Sequence, residues 1–78
     1  MQKPHFRPGE VLFLEREIPG IPYPTGYYVL VASTEGTATV SLLSSDAKGL
    51  YAIDNPYTVS AEDLPAFRAT GERARLRK

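Results

Sequence analysis

Two apolar runs flanking a short turn that ends in glycine constrain this chain more than any other stretch. Tyr27-Tyr28-Val29-Leu30-Val31-Ala32 and Thr37-Ala38-Thr39-Val40-Ser41-Leu42-Leu43 are rich in β-branched and aromatic residues, and Ser33-Thr34-Glu35-Gly36 lies between them. Together they predict a β-hairpin. An even loop pairs Ala32 with Thr37, which would set Val31, Val29 and Tyr27 opposite Ala38, Val40 and Leu42 on an all-apolar core face. Tyr28, Leu30 and Ala32 would then face away from the core, opposite Ser41, Thr39 and Thr37. The second strand alternates as a half-buried antiparallel strand does, whereas the first is apolar on both sides. That outer strip calls for a cover: a neighbouring loop, the C-terminal segment or another protein.

The remaining chain reads as strands added to this pair. Pro8-Gly9 marks a turn, and Glu10 to Leu14, continuing towards Arg16, predicts a strand with Leu12 and Leu14 on one face and Val11 and Phe13 on the other. Between residues 17 and 26, Pro19, Gly20, Pro22, Pro24 and Gly26 exclude a central strand and leave a long, stiffened loop. Its Pro19-Gly20-Ile21-Pro22 has the form of a polyproline ligand, although a structural loop accounts for it more simply. Ser44 to Gly49 reads as a polar connection, Leu50 to Ile53 as a short strand, Asp54-Asn55-Pro56 as a turn and Tyr57 to Val59 as a final extended piece. Ser60, followed by Glu62 and Asp63, suits a cap and a single helical or 3₁₀ turn stopped by Pro65, with an edge strand through Phe67 after it. The expectation is an all-β fold: a small antiparallel barrel of about five strands with one short helical or 3₁₀ turn. Residues 1–7 would form an extended lead-in, 8–70 the barrel and 71–78 a flexible basic tail.

Seventy-eight residues make one domain, near the lower size at which a single core suffices. With no cysteine and a lone histidine, His5, neither a disulfide framework nor a metal site is expected, and no cofactor is implied. No apolar run approaches the length of a membrane span, and the polar, proline-containing N-terminus is unlike a secretory signal, so a cytoplasmic protein without a membrane partner is expected. The formal charge of zero conceals a division: residues 1–7 carry +2, residues 8–64 carry −6 and residues 65–78 carry +4. An acidic body argues against a barrel face that grips phosphates and leaves that role to the tail.

The pattern resembles the small SH3-like barrels of bacteria and of KOW-type domains. Phe6-Arg7-Pro8-Gly9-Glu10 is similar to their opening, an aromatic and two spacers before glycine and an acid, while Tyr57-Thr58-Val59 and Glu62-Asp63-Leu64 are similar to their closing strand and acidic helical turn. The resemblance implies a fold and leaves function open. Signalling SH3 domains grip proline-rich peptides with an aromatic groove that includes a tryptophan; this chain has none, though Tyr23, Tyr51 and Tyr57 could form a lesser groove. Ribonuclease toxins with an SH3-like core carry an Arg-Pro pair entering the next strand, where this chain has Thr25-Gly26-Tyr27-Tyr28 and so lacks the expected phosphate-binding arginine.

Catalytic candidates are sparse. His5 lies in a proline-rich lead-in, Asp54 belongs to ordinary turn chemistry, and adjacent Glu62 and Asp63 point apart on a helical turn instead of forming a carboxylate pair. The expected function is a small non-catalytic binding or accessory domain engaging a protein partner or a second copy. Its protein-binding candidates are Phe13, Tyr28 and Leu30 on the outer face, with Tyr23, Tyr51 and Tyr57. One alternative is nucleic-acid association through Arg68, Arg73, Arg75, Arg77 and Lys78, for which the sequence offers no interleaved aromatics. Another is a small toxin-like enzyme.

Overall fold

The computed structural model of the chain describes residues 6–22 and 25–76. Five strands follow one another: β1 (Glu10–Leu14), β2 (Gly26–Ser33), β3 (Thr37–Asp46), β4 (Gly49–Ser60) and, after a 3₁₀ turn at Ala61–Ala66, β5 (Phe67–Arg73). They form one antiparallel sheet in the order β4-β3-β2-β1-β5. The fold is therefore all-β, with the short helical turn where Ser60 predicted it. The Ser60 hydroxyl accepts from the Glu62 N–H, and Pro65, expected to stop the turn, lies inside it. Tyr51 of the edge strand β4 forms an isolated parallel bridge with Arg75, two residues past β5, so the expected barrel curls round without closing by a ladder. Among the described residues no helix is long and apolar enough to cross a membrane.

The sheet buries its two faces unequally. The inner face carries the main core: Leu12 and Leu14 of β1, Tyr28 and Leu30 of β2, Ala38 and Val40 of β3, Val59 of β4 and Phe67 of β5. The loop before β2 seals it with Ile18 and Ile21, which assigns the P-x-x-P stretch a structural task. Gly20 is needed there, because at φ +90° an added Cβ would lie 2.8 Å from the Thr58 carbonyl oxygen. On the opposite face a smaller cluster joins Val11, Val29 and Ala52, with Leu43, Leu50 and Ala74 packed against it.

The hairpin register differs from the even-loop expectation, and the difference moves residues between faces. Ser33 pairs with Ala38 and Ala32 with Thr39, and a bulge then shifts the register so that Leu30 faces Val40 and Tyr28 faces Leu42. A slip of one residue exchanges the faces of a strand. Tyr28 and Leu30, expected outside, are 0% and 1% exposed in the main core. The Tyr28 ring meets Phe67 edge-on at 6.0 Å. Tyr27, expected in the core, is 55% exposed. Val29 is buried in the smaller cluster, and Val31 is half-buried. The faces of β3 follow its alternation, with Ala38 and Val40 buried inside.

Two segments read as irregular are strand. Ser44 to Asp46 extends β3 to a tight turn, and Leu50 to Val59 is one strand in which Ile53, Asp54 and Asn55 bulge out between the pairs Leu43–Ala52 and Ser41–Pro56. This long β3–β4 hairpin folds back over the outer face of β2 and brings Leu43, Leu50 and Ala52 onto Val29. The presumed tail also belongs to the sheet. Arg73 pairs with Glu10, the Ala74 N–H donates to the Gly9 carbonyl at 2.8 Å, and the Arg75 N–H donates to the Leu50 carbonyl at 3.0 Å. Ala74 thus packs against the outer cluster, and Arg77 and Lys78 lie outside the described residues. Tyr28, Val29 and Leu30 of the two-faced apolar strand have their cover within the chain, whereas Tyr27 does not.

Candidate functional site

The outer cover leaves a groove of about 580 Å3 at one end of this face. Its floor is Val11 and Phe13 of β1 beside Tyr27 of β2, with Leu43 and Leu50 of the folded-back hairpin at one side and Arg68 and Glu72 of β5 at the other. The register builds it: β1 pairs Phe13 with Tyr27 on one flank and with Arg68 on the other. The Phe13 and Tyr27 rings meet edge-on, with centroids 5.0 Å apart and planes at 62°. The Arg68 guanidinium carbon lies 5.7 Å from the Phe13 centroid, a cation–π distance.

A bulge aims Glu72 into the same groove. Between the pairs Leu12–Ala69 and Glu10–Arg73 the β5 chain carries extra residues, with Gly71 at φ +83°. The Thr70 hydroxyl donates to the Val11 carbonyl at 2.8 Å and accepts from the Glu72 N–H at 3.2 Å. Glycine is the residue that takes this left-handed conformation without strain. Neither the Arg68 guanidinium nor the Glu72 carboxylate has an ion-pair partner among the described residues. The site therefore offers two aromatic surfaces, one unspent cation and one unspent anion.

A second depression, about 780 Å3, lies where the hairpin bends, and is lined by Val31, Tyr51, Ile53, Asp54, Pro56 and Leu76 among others. Ile53 and Leu76 are 37% and 42% exposed. Between the two depressions runs the strap of residues 74–76, fastened by Arg75. Its Nη2 lies 2.6 Å from Asp46 Oδ1 and 3.4 Å from the Gly49 carbonyl, and its guanidinium carbon lies 5.7 Å from the Tyr51 centroid.

The sequence candidates divide accordingly. Phe13 and Arg68, drawn from two separate candidate sets, come together in the groove. Tyr28 and Leu30 cannot offer an exposed interface, since both are core. Tyr51 is half-buried beneath Arg75, and Tyr57 packs against the main core from the edge while its hydroxyl accepts from Asn55 Nδ2 at 3.1 Å. Arg73 donates to the Pro8 carbonyl at 3.2 Å and Arg75 is engaged in the strap, so the arginines expected in a free tail spend donors inside the fold. Tyr23, Arg77, Lys78 and His5 lie outside the described residues. Tyr27 and Glu72 were missed. For Tyr27 a signal existed: of two adjacent tyrosines in a strand, one must face away from the core. Glu72 carried no such signal, because its aim depends on the bulge.

The chain matches no family model, no curated protein and no solved structure.

Proposed function

We propose that this chain is a small non-catalytic binding module whose partner is a protein segment held in the Phe13–Tyr27 groove. One observation carries this reading: an aromatic pair stands open beside the buried cluster of Val11, Val29 and Ala52, with Tyr27 more than half exposed. Aromatic side chains give large contact area at low entropic cost, and they are the residues on which binding energy concentrates. The five-stranded antiparallel sheet with its 3₁₀ turn gives the groove an all-β scaffold.

A second reading, single-stranded nucleic acid, draws support from the same geometry, since the fold sets Arg68 over Phe13 whereas its sequence neighbour Phe67 is buried in the core. Glu72 in the groove and the acidic charge of residues 8–64 weigh against it, because phosphates would meet carboxylates. Selection from a displayed library of random short peptides tests the proposal. Peptides retained by the wild type should bind Tyr27→Ser at least tenfold more weakly, while Tyr27→Ser keeps its melting temperature. Equal retention by both proteins, or no retained peptide, would overturn it. So would binding confined to single-stranded oligonucleotides and lost steeply with salt.

A further inference from the structure

Resting on that reading, we infer that the groove selects a zwitterionic extended segment: an acidic and a basic residue at alternate positions, with an apolar anchor at the acid's end. The inference comes from charge placement along β5. Arg68 lies opposite Phe13, and continuing the register from the pair Glu10–Arg73 sets Glu72 opposite Val11. Phe13 and Val11 are neighbours on one face of β1, about 7 Å apart along the strand. The bulge at Thr70–Gly71 thus compresses two charges four residues apart in sequence to the spacing of alternate residues. An extended peptide repeats its side chains on one face at that same interval, so its acid and base would meet Arg68 and Glu72 together.

The aromatic pair gives the pattern a polarity. Phe13 is stacked beneath Arg68 and next to Tyr27, so the apolar anchor lies at the Arg68 end of the groove. Tyr27, Phe13 and Arg68 stand level across the strands, so the anchor and the acid share one end of the bound segment and the base lies two residues beyond the acid, whichever way its backbone runs. Arg68 suits a carboxylate partner: its planar guanidinium is already oriented by the Phe13 ring, and its donors are unspent. A uniformly acidic ligand such as a polyphosphate backbone would be repelled by Glu72. A uniformly basic one would be repelled by Arg68.

Peptide selection on the wild type and on the charge-exchanged double variant Arg68→Glu, Glu72→Arg decides the matter. Both side chains are exposed, so melting curves should coincide; the neutral pair Arg68→Gln, Glu72→Gln serves if the exchange perturbs folding. The wild type should enrich an acid and a base at alternate positions, with the apolar anchor nearer the acid. The exchanged variant should enrich the same pair with the anchor nearer the base and bind the wild-type peptides on the order of tenfold more weakly. The neutral pair should retain the anchor and lose the charge preference. If peptides are enriched without that order, or if the exchange leaves the preference unchanged, the charge inference fails while the groove reading stands. If neither protein retains a peptide, or if the wild type instead self-associates with the groove closed, both fail.

Discussion

The two faces of this sheet are built from the same strands and end differently. The inner face is sealed by contributions from all five strands, the loop around Ile18 and Ile21, and the helical turn. The outer face has the hairpin end of β3–β4 and the strap at Ala74 and Arg75 for its cover, and these reach Val11 and Val29 while Phe13 and Tyr27 extend beyond them. The contrast teaches where a domain this small can keep a binding surface. Burying one large apolar side chain is worth roughly 1.5–3 kcal/mol, so the inner face can supply stability while a margin of the outer face stays uncovered.

This contrast can be broken at several points. Val40→Asp puts an unpaired charge at the centre of the inner core and should leave the chain unfolded at room temperature, as circular dichroism would record. Leu30→Ala should cost about 2–5 kcal/mol in denaturant unfolding, as a cavity in a close-packed core does. A Leu30→Ala protein of nearly wild-type stability would return Leu30 to the outer face. Ending the chain after Arg73 removes three backbone hydrogen bonds, from Ala74 to Gly9 and between Arg75 and the Leu50 and Ala52 positions. It should cost about 1–3 kcal/mol. An unchanged melting temperature would mean that the strap is a passive tail.

Smaller effects sharpen the same comparison. Leu50→Ala thins the outer cover, and because Leu50 is half-buried the cost should be about 1 kcal/mol, well below that of Leu30→Ala. Equal costs would show that the two clusters contribute alike. Tyr27→Ser should change stability by less than about 0.5 kcal/mol while weakening peptide retention, separating the groove from the core. A clear loss of stability there would make Tyr27 structural.

Much of the scaffold was legible before any coordinates. Glu10–Leu14 alternates as a strand buried on both faces, and its two sides, Leu12 with Leu14 and Val11 with Phe13, are the ones observed. The proline and glycine spacing ahead of β2 excludes a strand, as observed over residues 17–22, and Ser60 before two acids marks a capped turn. The polarity of residues 44–46 and the turn chemistry of Asp54-Asn55-Pro56 misled, because long hairpins tolerate polar residues at their exposed ends and bulges inside a strand use the residues that turns use. The groove was legible in part. Phe13 and Arg68 were each visible as candidates, one for its place on an outer face and one for its charge, and neither pointed to the other.

Local residue chemistry was enough to establish the all-β class, the faces of β1 and β3, the capped turn and the division of charge, because each depends on neighbours in sequence. The faces of β2, the fate of Tyr27 and Tyr28, the strap at Arg75 and the meeting of Phe13, Tyr27, Arg68 and Glu72 awaited the tertiary structure. The physical reason is the bulge. Alternation tells which residues of a strand share a face, but a single extra residue between Leu30 and Ala32, and the insertion at Thr70–Gly71, decide which face turns inward and which charges come level. Those insertions answer to packing across the sheet, which no stretch of the chain carries by itself.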